Sequence, residues 1–151
     1  MNPIYDLPLE GISHDELKKL VSQKYSSVAA CPLEKHGFPT GKPFALAVGY
    51  PERELERLPD SLTESFAGVN YPFSFQEMKE GYVVLYIGCG AGLDLFFASD
   101  KVGGRGKVYG VDISGEMVAK ARNNIHLLNI KNVQVLQAHA DSIPLKEGTI
   151  D

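Results

Sequence analysis

A short apolar segment followed directly by a glycine-rich loop constrains the fold more than any other feature of this chain. Residues 83–87 read VVLYI, glycines bound this run on both sides, and residues 88–92 read GCGAG. A run of this length, rich in β-branched residues, is typical of a strand buried on both faces of a parallel sheet. Glycines after such a strand let the backbone approach a ligand closely and present amide donors at the start of the next helix. The sequence therefore predicts a parallel sheet with a ligand site at its carboxyl edge.

The chain after the glycine loop alternates predicted helices and strands. A helix over 93–99 precedes a second strand over 107–111, and a helix capped by Ser114 precedes a third strand over 133–136. This alternation is typical of a doubly wound fold, with right-handed crossovers and ligands at the carboxyl ends of the strands. The predicted fold class is α/β, with a Rossmann-like doubly wound parallel sheet. That sheet is expected to be incomplete, because a fourth strand is due to begin at residues 149–151, where the sequence stops.

Residues 1–80 are predicted to form a helical and irregular N-terminal extension, and residues 81–151 the first half of the sheet domain. Residues 13–16 have the S-x-x-E form of a capping box and predict a helix over about 14–29. A second capping box at residues 74–77 predicts another short helix.

Composition narrows the class of protein. Of 151 residues, 44% are hydrophobic and 23% charged, which is typical of a globular chain. The formal net charge is -4 without a dense run of Lys or Arg, so nucleic acid is not expected as a partner. No 18 apolar residues run together and the first residues have no leader pattern, so we expect no membrane association and a cytoplasmic location. The two cysteines form no CxxC and no histidine pair has ligand spacing, so no metal site is predicted.

Three chemical features fall at the carboxyl ends of three successive predicted strands: the loop 88–92, Asp112 and Asp141. Asp112 comes 20 residues after the last glycine of the loop, where an acid can accept hydrogen bonds from both hydroxyls of a ribose. Asp141 is placed to accept a hydrogen bond from an adenine amino group, with Ala140 beside the base. Together the three features predict a nucleoside site.

Each feature also has a purely structural interpretation. The glycine loop can be only a tight turn, and Asp112 only a cap for the helix that follows Ser114. The joint placement favours the nucleoside site. A dinucleotide is disfavoured because the fingerprint G-x-G-x-x-G needs a small residue at its last position, where this chain has Leu93. A nicotinamide-dependent oxidoreductase is therefore the weakest of the interpretations.

The sequence resembles the class I S-adenosylmethionine-dependent methyltransferases. Residues 84–92 are similar to their motif I, residues 110–114 to the segment with the ribose acid, and residues 140–145 to the adenine-binding loop. The resemblance implies S-adenosyl-L-methionine as cofactor and a small-molecule methyl acceptor, and it leaves the catalytic residues unassigned. The cofactor-binding residues that it implies are Gly88, Cys89, Gly90, Gly92, Asp94, Asp112, Ile113, Met117, Ala140 and Asp141.

Within that superfamily, residues 91–97 and the arm around residues 38–41 resemble the arsenite methyltransferase-like branch. The chain departs from the family at Tyr86, where an acid that orders the amino-acid end of the cofactor is usual. It also has Val69 near a position where relatives often carry a cysteine. Arsenic suits thiolate ligands, and Cys31, the only thiol outside the glycine loop, is expected to be a half-buried thiol rather than an arsenic ligand.

Two classes of function remain open from the sequence. The first is a methyltransferase acting on arsenite or another small molecule, of which this chain is the cofactor-binding portion; the acceptor loops of the family are expected beyond Asp151. The second is a non-catalytic cofactor-binding or interaction module, or an inactive truncated fragment. Because strand one would lie at an edge of the sheet, the sequence also predicts a homodimer or a complementing chain at that edge.

Overall fold

The computed structural model describes residues 11–75 and 77–151. Within these ranges six α-helices, one 3-10 helix and three strands follow one another along the chain. The elements are α1 (His14–Ala30), α2 (Gly41–Ala47), α3 (Glu52–Leu55), α4 (Asp60–Thr63), the 3-10 helix (Pro72–Ser74), β1 (Val83–Ile87), α5 (Leu93–Val102), β2 (Lys107–Asp112), α6 (Gly115–Leu127) and β3 (Val133–Gln137). None of the helices in the described ranges is long and apolar enough to cross a membrane.

The three strands form one parallel sheet in the order β1-β2-β3. Val83 pairs with Lys107, and Val108 pairs with Val133, so all three strands run toward the same edge. This confirms the predicted α/β fold and the parallel sheet. The predicted burial of β1 on both faces is wrong: the strand is only half-buried, and Ile87 is 52% exposed, because β1 lies at the edge of the described sheet.

The first capping box forms as predicted. The amide of Glu16 donates to the hydroxyl oxygen of Ser13 at 3.2 Å, and the carboxylate of Glu16 accepts from the amide of Ser13 at 3.0 Å. These bonds satisfy two backbone donors that have no partner within the helix, so α1 begins at His14. From there α1 runs across to pack against α6.

The second predicted capping box, at residues 74–77, does not start a helix. The hydroxyl of Ser74 donates backward to the carbonyl of Tyr71 at 2.9 Å, within the 3-10 helix that Pro72 begins. A hydroxyl used in that way is not directed at the amides ahead of it. Residues 77–79 are not helical, and Gln76 lies outside the described residues.

One hydrophobic core joins the extension to the sheet. Leu55 and Leu62 from the extension belong to the same buried cluster as Leu95 and Val108, and all four are fully buried. Each such side chain contributes about 1.5–3 kcal/mol by leaving water. The extension is therefore part of what holds the carboxyl edge of the sheet in place.

Candidate functional site

A cavity of about 710 Å³ opens at the carboxyl edge of the sheet. Its walls come from the glycine loop, the segments after β2 and β3, helix α1 and the extension around residues 65–70. Nine of the ten cofactor-binding residues expected from the sequence line this cavity: Gly88, Cys89, Gly90, Asp94, Asp112, Ile113, Met117, Ala140 and Asp141. The tenth, Gly92, does not line the cavity and is the N-cap residue of α5. A volume of this size suits a ligand as large as a nucleoside cofactor.

The glycine loop leaves open space in front of its backbone. Gly88 and Gly90 have φ angles of 78° and 51°, in the left-handed region that side-chain-bearing residues rarely adopt. A Cβ atom built on either glycine would meet no atom within 4 Å. A ligand therefore has room to approach this stretch of backbone directly.

Four backbone amides of the glycine loop already have hydrogen-bond partners within the protein, so the loop offers a ligand open space rather than these donors. The amides of residues 88 and 89 both donate to the carbonyl of Val111, at 2.7 and 3.0 Å, and the amide of Gly92 donates to the carbonyl of Cys89 at 3.0 Å. The amide of Gly90 donates to Asp112 at 2.8 Å. The expectation that these amides face a ligand is thus wrong for the four of them, because three bond to residues of β2 and the amide of Gly92 closes the loop on itself.

Asp112 combines a structural role with a position at the cavity. Its Oδ2 accepts the amide of Gly90, and its Oδ1 accepts the amide of Ser114 at 2.9 Å. Burial raises the pKa of Asp112, and the bonds from Ser114 and Gly90 work in the opposite direction. A carboxylate has about four acceptor positions, so two amide bonds leave capacity for two hydroxyl donors. The capping interpretation therefore accounts for only part of this side chain.

Asp141 has a cationic partner that the sequence did not indicate. The Nζ atom of Lys18, on α1, lies 2.6 Å from Oδ2 of Asp141, and both residues line the cavity. The hydrogen bond from Lys18 lowers the pKa of Asp141, and the same bond raises the pKa of Lys18. No local sequence pattern could predict this pair, because 123 positions separate the two residues along the chain.

Asp94 is held between two phenols. The hydroxyl of Tyr50 donates to its Oδ1 and the hydroxyl of Tyr86 donates to its Oδ2. Asp94 is only 9% exposed; burial raises its pKa and the two phenol bonds lower it. Tyr86, noted from the sequence as the residue in place of an acid, therefore carries a direct hydrogen bond to a nearby acid. Tyr50 comes from the extension, 44 positions before Asp94, and was not expected at the site.

Of the two cysteines, Cys89 lines the cavity and Cys31 does not. Cys89 is buried in the glycine loop, and burial, followed by the charge of Asp112, raises the pKa of its thiol to about 12. Cys31 is exposed as the C-cap residue of α1 and does not line the cavity, so the expectation of a half-buried thiol is wrong. Among residues 11–75 and 77–151, no three His, Cys, Asp or Glu side chains come together as a metal site would require.

Comparison with known proteins agrees with this arrangement. Residues 78–151 match a protein family described as "Methyltransferase domain". An arsenite methyltransferase from Halobacterium salinarum is 36% identical over 84 residues, which cover 56% of this chain and 22% of that protein. An aklanonic acid methyltransferase from Streptomyces is 39% identical over 66 residues, covering 44% of this chain and 30% of that protein. A SAM dependent methyltransferase from Aquifex aeolicus has a solved structure that superposes with a TM-score of 0.54 at 35% identity, covering 74% of this chain and 50% of that chain.

The parallel sheet, the glycine loop and the cavity at the carboxyl edge define a Rossmann-like α/β protein. Its residues 78–151 belong to the class I S-adenosylmethionine-dependent methyltransferases. The chain spans half or less of the length of each of the three relatives named above.

Proposed function

We propose that the cavity at the carboxyl edge of the sheet binds S-adenosyl-L-methionine, and that the protein transfers the methyl group of this cofactor to a small acceptor. One observation carries the proposal. The open glycine loop and Asp112, which has acceptor capacity to spare, face the same cavity of about 710 Å³.

The residues at the cavity fit the separate parts of such a ligand. Asp112 would accept the two ribose hydroxyls, and the backbone at Gly88 and Gly90 would lie against the ligand where no Cβ intervenes. The base would be lined by residues beside the carboxyl ends of β2 and β3. Those residues are Ile113, Met117, Ala140 and Asp141.

Methyl transfer requires these residues mainly to position the two reactants. When bound, the cofactor supplies a methyl group on a positively charged sulfur, which leaves as a neutral thioether while the acceptor forms the new bond to carbon. The protein then has to align the acceptor with the methyl group and keep water away. The walls from α1 and the extension are suited to excluding water on one side of the cavity.

Calorimetry with S-adenosylhomocysteine tests the binding proposal. We expect Asp112→Asn to weaken binding by about tenfold or more, since bonds to a charged acceptor are worth about 1.5–3 kcal/mol each. Asp100→Asn is the matched control, because Asp100 is an exposed acid on α5. An absence of detectable heat from the unmodified protein at high concentration would contradict the proposal.

Arsenite is the second candidate acceptor. It is favoured by the similarity to the arsenite methyltransferase of Halobacterium salinarum. The thiols of this chain weigh against it, because arsenic prefers thiolate ligands and neither Cys31 nor Cys89 offers an accessible thiolate at the cavity. Formation of methylated arsenic from arsenite, the cofactor and a thiol would support this acceptor, and its loss in Cys31→Ser would identify the ligand.

A non-catalytic cofactor-binding module is the alternative to an enzyme. It would bind S-adenosylhomocysteine as tightly as the enzyme but show no turnover with any acceptor.

We also propose a homodimer or a complementing chain along β1, because β1 lies at the edge of the described sheet and Ile87 at its end is exposed. A compact monomer in sedimentation at high concentration would contradict that assembly.

We propose the cytoplasm as the location of the protein, because two free thiols favour a reducing compartment.

A further inference from the structure

Asp94 is a buried acid that faces the cavity, and no lysine or arginine of the described residues forms an ion pair with it. Its side chain lines the cavity although it is only 9% exposed. The ion pairs in the described ranges join Lys18 to Asp141, Arg105 to Glu80 and Lys120 to Glu64, so none of them involves Asp94. Carboxylates removed from water are normally paired with a cation or strongly hydrogen-bonded.

The two phenols beside Asp94 supply hydrogen bonds but no positive charge. Burial, together with the nearby Asp94 carboxylate, raises the pKa of both Tyr50 and Tyr86, so both hydroxyls stay protonated and act as donors. Each phenol uses one acceptor position on one carboxylate oxygen, and the remaining positions are available to a further donor. Within the described residues, the Asp94 carboxyl group is therefore held at the cavity wall by two neutral donors and has no cationic partner.

We propose that Asp94 is the counter-ion for the α-ammonium group of the cofactor, and that Tyr50 and Tyr86 are positioning residues that hold its carboxylate at the cavity wall. The inference rests on the proposed function, because that function supplies a ligand with a cationic amino-acid end. An ammonium group has N–H donors for the free acceptor positions of Asp94, and bonds between two charged groups are the stronger kind. A sulfonium has no such donor, which favours the ammonium over the sulfur as the partner.

Tyr50 makes this arrangement depend on the extension. Its ring is 3% exposed and packs edge-on against Phe66 and Tyr71, with ring centroids 4.9 Å apart in both pairs. A ring held in this way has one direction in which to point its hydroxyl. The extension thus sets the orientation of the charge that recognises the ligand.

Two ligands separate this role from a structural one. S-adenosylhomocysteine carries the ammonium group, whereas 5′-methylthioadenosine has the same nucleoside and thioether without the amino-acid end. We expect Asp94→Asn to weaken S-adenosylhomocysteine binding by about tenfold or more and to change 5′-methylthioadenosine binding by less than about twofold. Because the second ligand still requires a folded cavity, its binding also shows that the variant is folded.

The positioning residues are tested in the same way. Tyr50→Phe and Tyr86→Phe each remove one hydroxyl, and we expect a loss of about threefold to tenfold for S-adenosylhomocysteine alone. Tyr109→Phe, on β2 and away from Asp94, is the control and should change neither affinity. Equal losses for the two ligands, or no loss for S-adenosylhomocysteine, would overturn the inference while leaving the proposed function intact. An unmodified protein that binds neither ligand would overturn both.

Discussion

The Nζ atom of Lys18 lies 2.6 Å from Oδ2 of Asp141, which ties helix α1 to the segment that follows β3. These two parts of the chain form one side of the cavity at the carboxyl edge of the sheet. The pair is partly open to water, with side-chain exposures of 32% and 61%. Salt therefore weakens it, and its contribution to stability is small.

Removing the cation should change the titration of the acid. We expect Lys18→Met to raise the pKa of Asp141 toward its ordinary value of 3.8, because the hydrogen bond and charge that lower it are lost. Since the folded-state pKa is depressed, the stabilisation is present above pH 3.8 and is lost as pH falls through the lowered value. Carboxyl ¹³C titration measures this directly. Lys19→Met, one position along α1, is the control, and an unchanged titration in Lys18→Met would contradict the pairing.

Asn124 connects the glycine loop to the extension. Its side-chain amide donates to the carbonyl of Ala91 at 2.9 Å and to the carbonyl of Ser61 at 3.0 Å, and the residue is 2% exposed. Asn124→Ala leaves these acceptors without their donor, so we expect the free energy of unfolding to fall by about 1–3 kcal/mol in urea denaturation. Asn123→Ala, at the exposed neighbouring position on α6, should have little effect. Equal losses in the two variants would contradict this role for Asn124.

The two thiols should differ in reactivity. Cys31 is exposed, whereas Cys89 is buried with its pKa raised to about 12, so little thiolate is available there at neutral pH. We expect a thiol reagent to modify one cysteine rapidly in the native protein and two after denaturation. Cys31→Ser should abolish the rapid phase. Rapid modification of Cys89 in the native protein would show that the glycine loop is less closed than the structure indicates.

Asp94 should make stability depend on pH in a definite direction. Burial raises its pKa in the folded state, so the folded protein binds this proton more tightly than the unfolded chain. The contribution of Asp94 therefore falls as pH rises from its ordinary pKa of 3.8 through the raised value. The free energy of unfolding of the unmodified protein, relative to Asp94→Asn, should decrease over that window in urea titrations at several pH values. A difference that increases with pH would contradict the direction of the shift.

The sequence predicts the parts of the site that depend on neighbours along the chain. The loop 88–92 follows β1 directly and Asp112 ends β2, so the strand pattern alone brings them to one edge of the sheet. A prediction from a local sequence pattern can also be wrong. Residues 74–77 have the residue types of a capping box, but the hydroxyl of Ser74 donates to the carbonyl of Tyr71 in the preceding turn.

The partners that orient the site could not be predicted in this way. Lys18 reaches Asp141 across 123 positions, and Tyr50 reaches Asp94 across 44. Such contacts depend on how α1 and the extension pack onto the sheet, which the periodicity of either segment alone does not specify. A lysine on a helix and a tyrosine after a glycine have no spacing signature for a distant acid.

The shared core has a consequence for how this chain can change over evolution. Leu55 and Leu62 pack in the same cluster as Leu95 and Val108, and Tyr50 reaches from that cluster to Asp94. An extension exchanged for that of another methyltransferase would have to match the sheet in shape and supply a hydroxyl at one particular point. The two parts of the chain are therefore expected to accumulate substitutions together and to melt in a single transition.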